Sequence, residues 1–189
     1  MVSNHDSDAD LVRRAIAGDA GAFGTLYEKH MTAIYRYSYY RLGDSAEAED
    51  LTETTFLRVW EGLKRFQPGR VAFRSWLYRV AHNLLIDRYR ARKPQGSLDD
   101  MEIADSAPAP EASLIAKDES RRLAQAIRGL KPEYQQVLTL RFIAGITHAE
   151  AALIIGCSQA AARVLQHRAL AALRESLDRS PGEAHDSSQ

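Results

Sequence analysis

Cations and aromatic rings alternate over residues 71–93. Six Lys/Arg and one acid give this stretch a charge of +5, and Trp76, Tyr78 and Tyr89 lie between the cations. Cations track phosphates while rings stack on unpaired bases, so the mixture suits single-stranded or melting DNA. The same residues serve equally well as a helix with aromatic core positions and a charged outer face. A second pattern begins at Thr147-His148-Ala149-Glu150, which fits a capping box. Ala152, Gly156 and Ala162 follow at intervals that let two short helices cross closely, and Ser158 is placed to cap the second. On that second helix Ala160, Arg163, Val164 and His167 lie off the core stripe, with Arg168 at its margin. Such a helix-turn-helix can enter a major groove; a plain helical hairpin with a solvated face is the alternative. A third pattern puts Glu47, Asp50, Glu53, Leu57 and Glu61 opposite Phe56, Val59, Trp60 and Leu63 on one helix. That acidic face is either a docking surface for a basic partner or simply solvated.

Other chemistries find no support. There is no nucleophile elbow and no Gly-rich phosphate loop. Asp50 and Glu53 make no catalytic pair without a pocket. Cys157 is the one cysteine, which excludes an internal disulfide framework and a cysteine-rich zinc site. It falls in the turn, where a small buried hydrophobe packs. His148, Cys157 and His167 do not have zinc-ligand spacing. The reading is therefore of a protein that is not an enzyme, with no catalytic residue, no metal and no cofactor.

The elements that must carry these faces are all helical. No period-two strand is convincing. Helices are expected at 10–17, 20–42, 44–66 and 73–92, then at 114–129, 132–144, 148–155 and 159–177. Gly18, Gly43, Gly129, Gly145 and Gly156 act as punctuation, and Pro132 opens its helix. The chain has 189 residues, 45% apolar and 26% charged, which is ordinary for a globular protein of one or two domains. Its zero net charge hides a pattern. Residues 1–93 carry 15 Lys/Arg against 12 Asp/Glu, 94–120 carry 1 against 7, 121–179 carry 9 against 4, and 180–189 carry none against 2. Two basic blocks flank an acidic spacer, as if each meets a polyanion. Three prolines and a glycine among the acids of 94–112 cannot offset chain entropy by burial.

The expected fold is therefore all-α: two small helical domains, 1–93 and 114–179, joined by a flexible acidic linker at 94–113. A disordered tail is expected at 180–189. No apolar run is long enough to span a membrane. The polar, acidic residues 1–10 are no signal peptide, and a cytoplasmic protein is expected.

In order along the chain, the motifs resemble a bacterial sigma factor of the extracytoplasmic-function type, a compact branch of the sigma-70 family. The resemblance is carried by Asp10-Leu-Val-Arg-Arg-Ala-Ile-Ala-Gly-Asp19 with Ala22-Phe23 and Leu26-Tyr27-Glu28. It continues through Tyr35-Arg36-Tyr37 and Ala48-Glu49-Asp50-Leu51-Thr52 with Thr55-Phe56-Leu57 and Trp60. Then come Phe73-Arg74-Ser75-Trp76-Leu77, Ala81-His82-Asn83 and Asp87-Arg88, and finally Leu138-Thr139-Leu140-Arg141-Phe142 through the helix-turn-helix. It spans about residues 10–93 and 114–177.

The resemblance implies a division of labour. The helix at 44–66 would dock on the β′ clamp helices of core RNA polymerase, using Glu47, Asp50, Leu51, Glu53, Thr55, Phe56, Leu57 and Trp60. Phe56 and Trp60 have a core role as their alternative. The helix at 73–92 would read the −10 promoter element through Trp76, Arg79, Asn83, Asp87, Arg88 and Arg90, with the 66–72 loop as a pocket for an unstacked base. Unstacking costs a few kcal/mol per base. A pocket that recovers this only in the open strand biases DNA towards melting. The second domain would bind the −35 element. Ala160, Arg163, Val164 and His167 would approach base edges, while Ser158, Gln159 and Arg168 would lie at or near phosphates. Implied partners are the β′ clamp helices and β flap of core polymerase, promoter DNA and an anti-sigma factor, without membrane insertion. There are two departures from the family. A bulky aliphatic is usual at 162, and a basic residue followed by Leu at 165–166, where this chain has Ala162, Leu165 and Gln166. A stand-alone helix-turn-helix dimer acting on duplex DNA is the competing reading, and the first domain's resemblance argues against it.

Overall fold

The computed structural model describes residues 7–92 and 114–179. The expected linker at 94–113 and tail at 180–189 lie outside the described residues. Within them eight α-helices follow in order: α1 Asp8–Ile16, α2 Ala20–Leu42, α3 Ser45–Gly62, α4 Phe73–Arg92, α5 Leu114–Arg128, α6 Pro132–Leu138, α7 His148–Ile155 and α8 Gln159–Asp178. Short polar side chains start five of them. Ser7, Asp19, Asp44, Thr147 and Ser158 each accept from a backbone N–H of the first helical turn, satisfying donors that would otherwise have no partner. The capping box at Thr147 and Glu150 is complete. Gly43 and Gly156 end α2 and α7 in the left-handed region, at φ +77° and +83°, which a Cβ disfavours.

Two helices end before the sequence pattern does. The stretch expected to run to Phe66 stops at Gly62 and finishes in a 3₁₀ turn at Leu63–Arg65. A Cβ at Gly62 would stand 3.2 Å from the Trp76 ring, so this glycine lets α3 and α4 approach. The helix expected over 132–144 is α-helical only to Leu138, then widens into a π-turn over Thr139–Ile143. The Ala144 N–H donates to Thr139 O at 2.8 Å and the Ile146 N–H to Leu140 O at 2.9 Å. The wider turn leaves Leu140, Ala144 and Ile146 all buried.

The two helical domains pack against each other. The core of α1–α4 is built from Leu11, Leu26, Ile34, Tyr37, Leu51, Phe56, Leu77 and Leu85, among others. Leu140, Ala144, Ile146, Ala151 and Ile154 of the second half belong to the same cluster. Tyr40 of α2 packs with Ala124 and Ile127 of α5 in a second patch along this seam. A third cluster, Val137, Leu138 and Ala169, holds α6 to α8. The physical reason is plain. The second half offers more apolar surface than its own few helices can cover, and α2 and α4 bury it.

Ile146 is 1% exposed within the shared core. Ile146→Ala should cost about 2–5 kcal/mol and lower the midpoint of one cooperative transition for the whole chain. Calorimetry checks this; two transitions, only one of them shifted, would mean that the halves fold independently.

Candidate nucleic-acid interface

Burial divides the residues expected on α3. Leu51, Thr55 and Phe56 are core positions. The Thr55 hydroxyl donates to Leu51 O at 2.7 Å, and Phe56 packs edge-on against Phe23 and Tyr27. These three shape the helix and cannot touch a partner. Asp50, Glu53, Leu57 and Trp60 are exposed along one stripe, with Glu47 half-buried at its start. Leu57 is 56% and Trp60 41% exposed, and Trp60 also leans on Phe23 at 4.8 Å. The face is therefore mixed, with acids around two large apolar side chains.

On α4, Leu77, Tyr78, Ala81 and Leu85 face the core, while Arg79, Asn83, Asp87 and Arg90 are exposed along the outer edge. Asp87 and Arg90 pair loosely at 3.8 Å. Trp76 is half-buried. It stacks on Phe66 at 4.7 Å and 24°, with Phe73 edge-on at 6.0 Å. Arg88 reaches back to α3, donating to the Asp50 carboxylate and, at 3.3 Å, to Glu47 O. One ion pair thus joins the expected polymerase face to the expected DNA face.

Beside this edge lies a cleft of about 400 Å³ lined by Asp8, Ala9 and Val12 of α1 and by Phe66, Pro68 and residues 69–74. Its size is in the range of small-ligand pockets. Asp8 is held on its wall by Lys29 at 2.7 Å and His30 at 2.9 Å. Burial pushes the Asp8 carboxyl up, but these two partners outweigh it and hold it below the usual range. Arg70 and Arg74 supply cations at the rim.

On α8, Ala162 and Ala169 are buried, whereas Ser158, Gln159, Ala160, Arg163, Val164, His167 and Arg168 are exposed. Leu165 packs against the cluster of Val137 and Leu138. Gln166 accepts from Arg141 Nε at 3.0 Å, and Arg141 Nη1 also donates to Ile146 O. The unusual pair Leu165-Gln166 is thus a brace that fixes α8 to the π-turn.

The seam between halves carries polar ties that the sequence did not announce. Arg74 donates to Ala144 O and Ser75 to the Glu150 carboxylate. A Cβ at Gly145, whose φ is +61°, would stand 3.2 Å from the Arg74 guanidinium. Glu150 also closes the capping box with Thr147. Partial burial raises the Glu150 carboxyl, but the Ser75 and Thr147 bonds dominate and lower it. His82 sits between Gln136 Nε2 at 3.2 Å and the Tyr37 hydroxyl at 3.4 Å. Burial, then the nearby Arg41 charge, push its imidazole down to about 4. Burial likewise raises the Tyr37 phenol to about 12. Sequence reasoning missed these residues because each reads as an ordinary helix position; only the doubled role of Glu150, cap and cross-tie, had a local signal. Among the described residues no group of His, Cys, Asp and Glu could hold a metal ion, and no helix is long and apolar enough to cross a membrane.

These faces on this frame match known proteins. Residues 26–95 match sigma-70 region 2 and residues 120–173 match sigma-70 region 4. The chain is 38% identical over 175 residues to the ECF RNA polymerase sigma factor BldN of Streptomyces coelicolor, covering 89% of this chain and 66% of that one. It is 31% identical over 183 residues to the RNA polymerase sigma factor CnrH of Cupriavidus metallidurans, covering 92% and 95%. The structure of CnrH in complex with the cytosolic domain of CnrY superposes with a TM-score of 0.71 at 29% identity, over 93% of this chain and 100% of that one. RpoE of Bartonella quintana, solved with the anti-sigma factor NepR, shares the fold at a TM-score of 0.69 and 21% identity, over 84% and 98%. The chain belongs to the sigma-70 family, in its extracytoplasmic-function branch, whose members are transcription initiation factors and not enzymes.

The buried imidazole sets a pH dependence. His82 is neutral in the fold but takes a proton near pH 6.5 once unfolded. The unfolded state therefore binds more protons between pH 6.5 and about 4, and stability falls as pH drops through that window. The loss is about 3 kcal/mol for a shift of this size. His30, also lowered by burial, adds in the same direction. Urea unfolding against pH should show a shallower acid slope in His82→Gln than in the wild type; identical slopes would contradict the assignment.

Proposed function

We propose that this sigma factor binds core RNA polymerase through the exposed stripe of α3, melts the −10 element with α4 and the cleft beside it, and reads the −35 element with α8. The observation that carries this reading is the exposure of three separate stripes on α3, α4 and α8 while the rest of those helices is buried. Asp50, Glu53, Leu57 and Trp60 meet the β′ clamp helices. Arg79, Asn83 and Arg90 follow the −10 strand. The cleft lined by Phe66, Pro68, Val71 and Phe73 takes an unstacked base, with Arg70 and Arg74 near its phosphates. The second half engages the β flap, and the chain works in the cytoplasm, where transcription occurs.

The seam must open for this. A compact chain of this length is about 40 Å across. The two elements lie some 25 base pairs apart, about 85 Å of duplex at 3.4 Å per step. The closed arrangement is thus a resting form, and polymerase binding holds the halves apart. A partner that stabilises the closed form switches the protein off. By analogy with the RpoE complex with NepR, that partner is an anti-sigma factor.

Run-off transcription with core polymerase, with and without the chain, tests the reading. Promoter-specific transcripts should appear only with the chain. Absence of any transcript from a promoter library, together with tight dimeric binding to duplex, would favour a stand-alone regulator. Within that assay Asn83→Ala should reduce permanganate reactivity of the melted strand while sparing −35 binding. Arg163→Ala should weaken −35-dependent promoters by about 1–3 kcal/mol, the worth of a bidentate Arg–guanine contact. Normal melting in Asn83→Ala would remove Asn83 from the assigned role.

A further inference from the structure

The outward line of α8 is mostly apolar over its first three turns and becomes acidic only at Glu175 and Asp178. At 100° per residue, Ala160, Val164, His167 and Ala171 fall opposite Ala162 and Ala169, the two buried positions. All four are exposed, and Val164 is 51% exposed. A β-branched residue is a poorer helix former than alanine or a charged residue. Half in water, Val164 recovers little of that cost through burial. The flanks of the line narrow the choice of occupant. Arg163 and Arg174 lie on one side and Arg168 on the other, all exposed. A narrow apolar line between cations matches a major groove, where phosphates edge a floor whose one apolar group is the thymine 5-methyl.

We propose that Ala160 and Val164 read thymine methyl groups in the −35 element, with Val164 making the discriminating contact. This rests on the reading of α8 as the recognition helix. The arrangement divides the work on one helix face. Arg163 seeks guanine through hydrogen bonds, and Val164 seeks a methyl group through contact and dehydration. His167, one turn on, stays available for a polar base edge. The Arg141–Gln166 brace, 3.0 Å long on the opposite side of the helix, fixes the rotation of α8. Val164 therefore meets the groove floor at one angle, which a contact worth only one methyl group requires.

The test uses holoenzyme assembled from core polymerase and the full chain, on a promoter obtained by selection from random sequence. Each −35 thymine, on either strand, is replaced singly by deoxyuridine. This removes the methyl and leaves every hydrogen-bonding group in place. For the wild type, at least one replacement should weaken promoter binding about fourfold, the worth of one buried methyl. In Val164→Ala that thymine-to-uracil ratio should fall towards one. Equal binding of thymine and uracil promoters at every position, or an unchanged ratio in Val164→Ala, overturns the proposal and leaves the apolar line to a protein partner. So does a selected element without thymine in it. Failure of the chain to support any promoter-specific transcription is a different result, and refutes the sigma-factor roles assigned to these helices.

Discussion

The seam between the two halves governs how this molecule can work. Leu140, Ala144, Ile146, Ala151 and Ile154 leave their own half and enter the core of α1–α4. Apolar burial holds them there, and Arg74, Ser75 and His82 add hydrogen bonds to Ala144, Glu150 and Gln136. Within the first half Arg41 is 1% exposed and lies beside the Tyr37 hydroxyl and the Tyr89 ring, 5.6 Å away.

Closure leaves the working stripes in the open. The stripes proposed for polymerase on α3, for the −10 element on α4 and for the −35 element on α8 all remain exposed. What it denies them is distance from one another, since they share one compact frame. The Asp50–Arg88 pair adds a second restraint within the first half by tying α3 to α4.

Much of this was legible in the residues. Caps, glycines and the apolar periodicity place the helices, because those signals act within a few residues. The helix-turn-helix is readable for the same reason. Burial of Leu51 and Thr55 was not readable, since a motif says which residues recur and not which face inward, whereas the core alternative for Phe56 was. The π-turn at Thr139 and the seam were also hidden. Both depend on contacts between residues seventy or more apart, as Arg74 meets Ala144 and Ser75 meets Glu150. The Leu165-Gln166 departure serves as a brace, with Gln166 on Arg141 and Leu165 packed against Val137 and Leu138.

The central claim is that the halves rest on a common core and separate on joining the polymerase. Single-pair energy transfer measures this directly. Dyes placed through Lys64→Cys and Glu175→Cys, in a Cys157→Ala background, report the distance between the first half and the end of α8. The account predicts one short distance in the free chain and a long one once core polymerase is added, with promoter-specific transcription retained. A distance that stays short in an actively transcribing complex would contradict it.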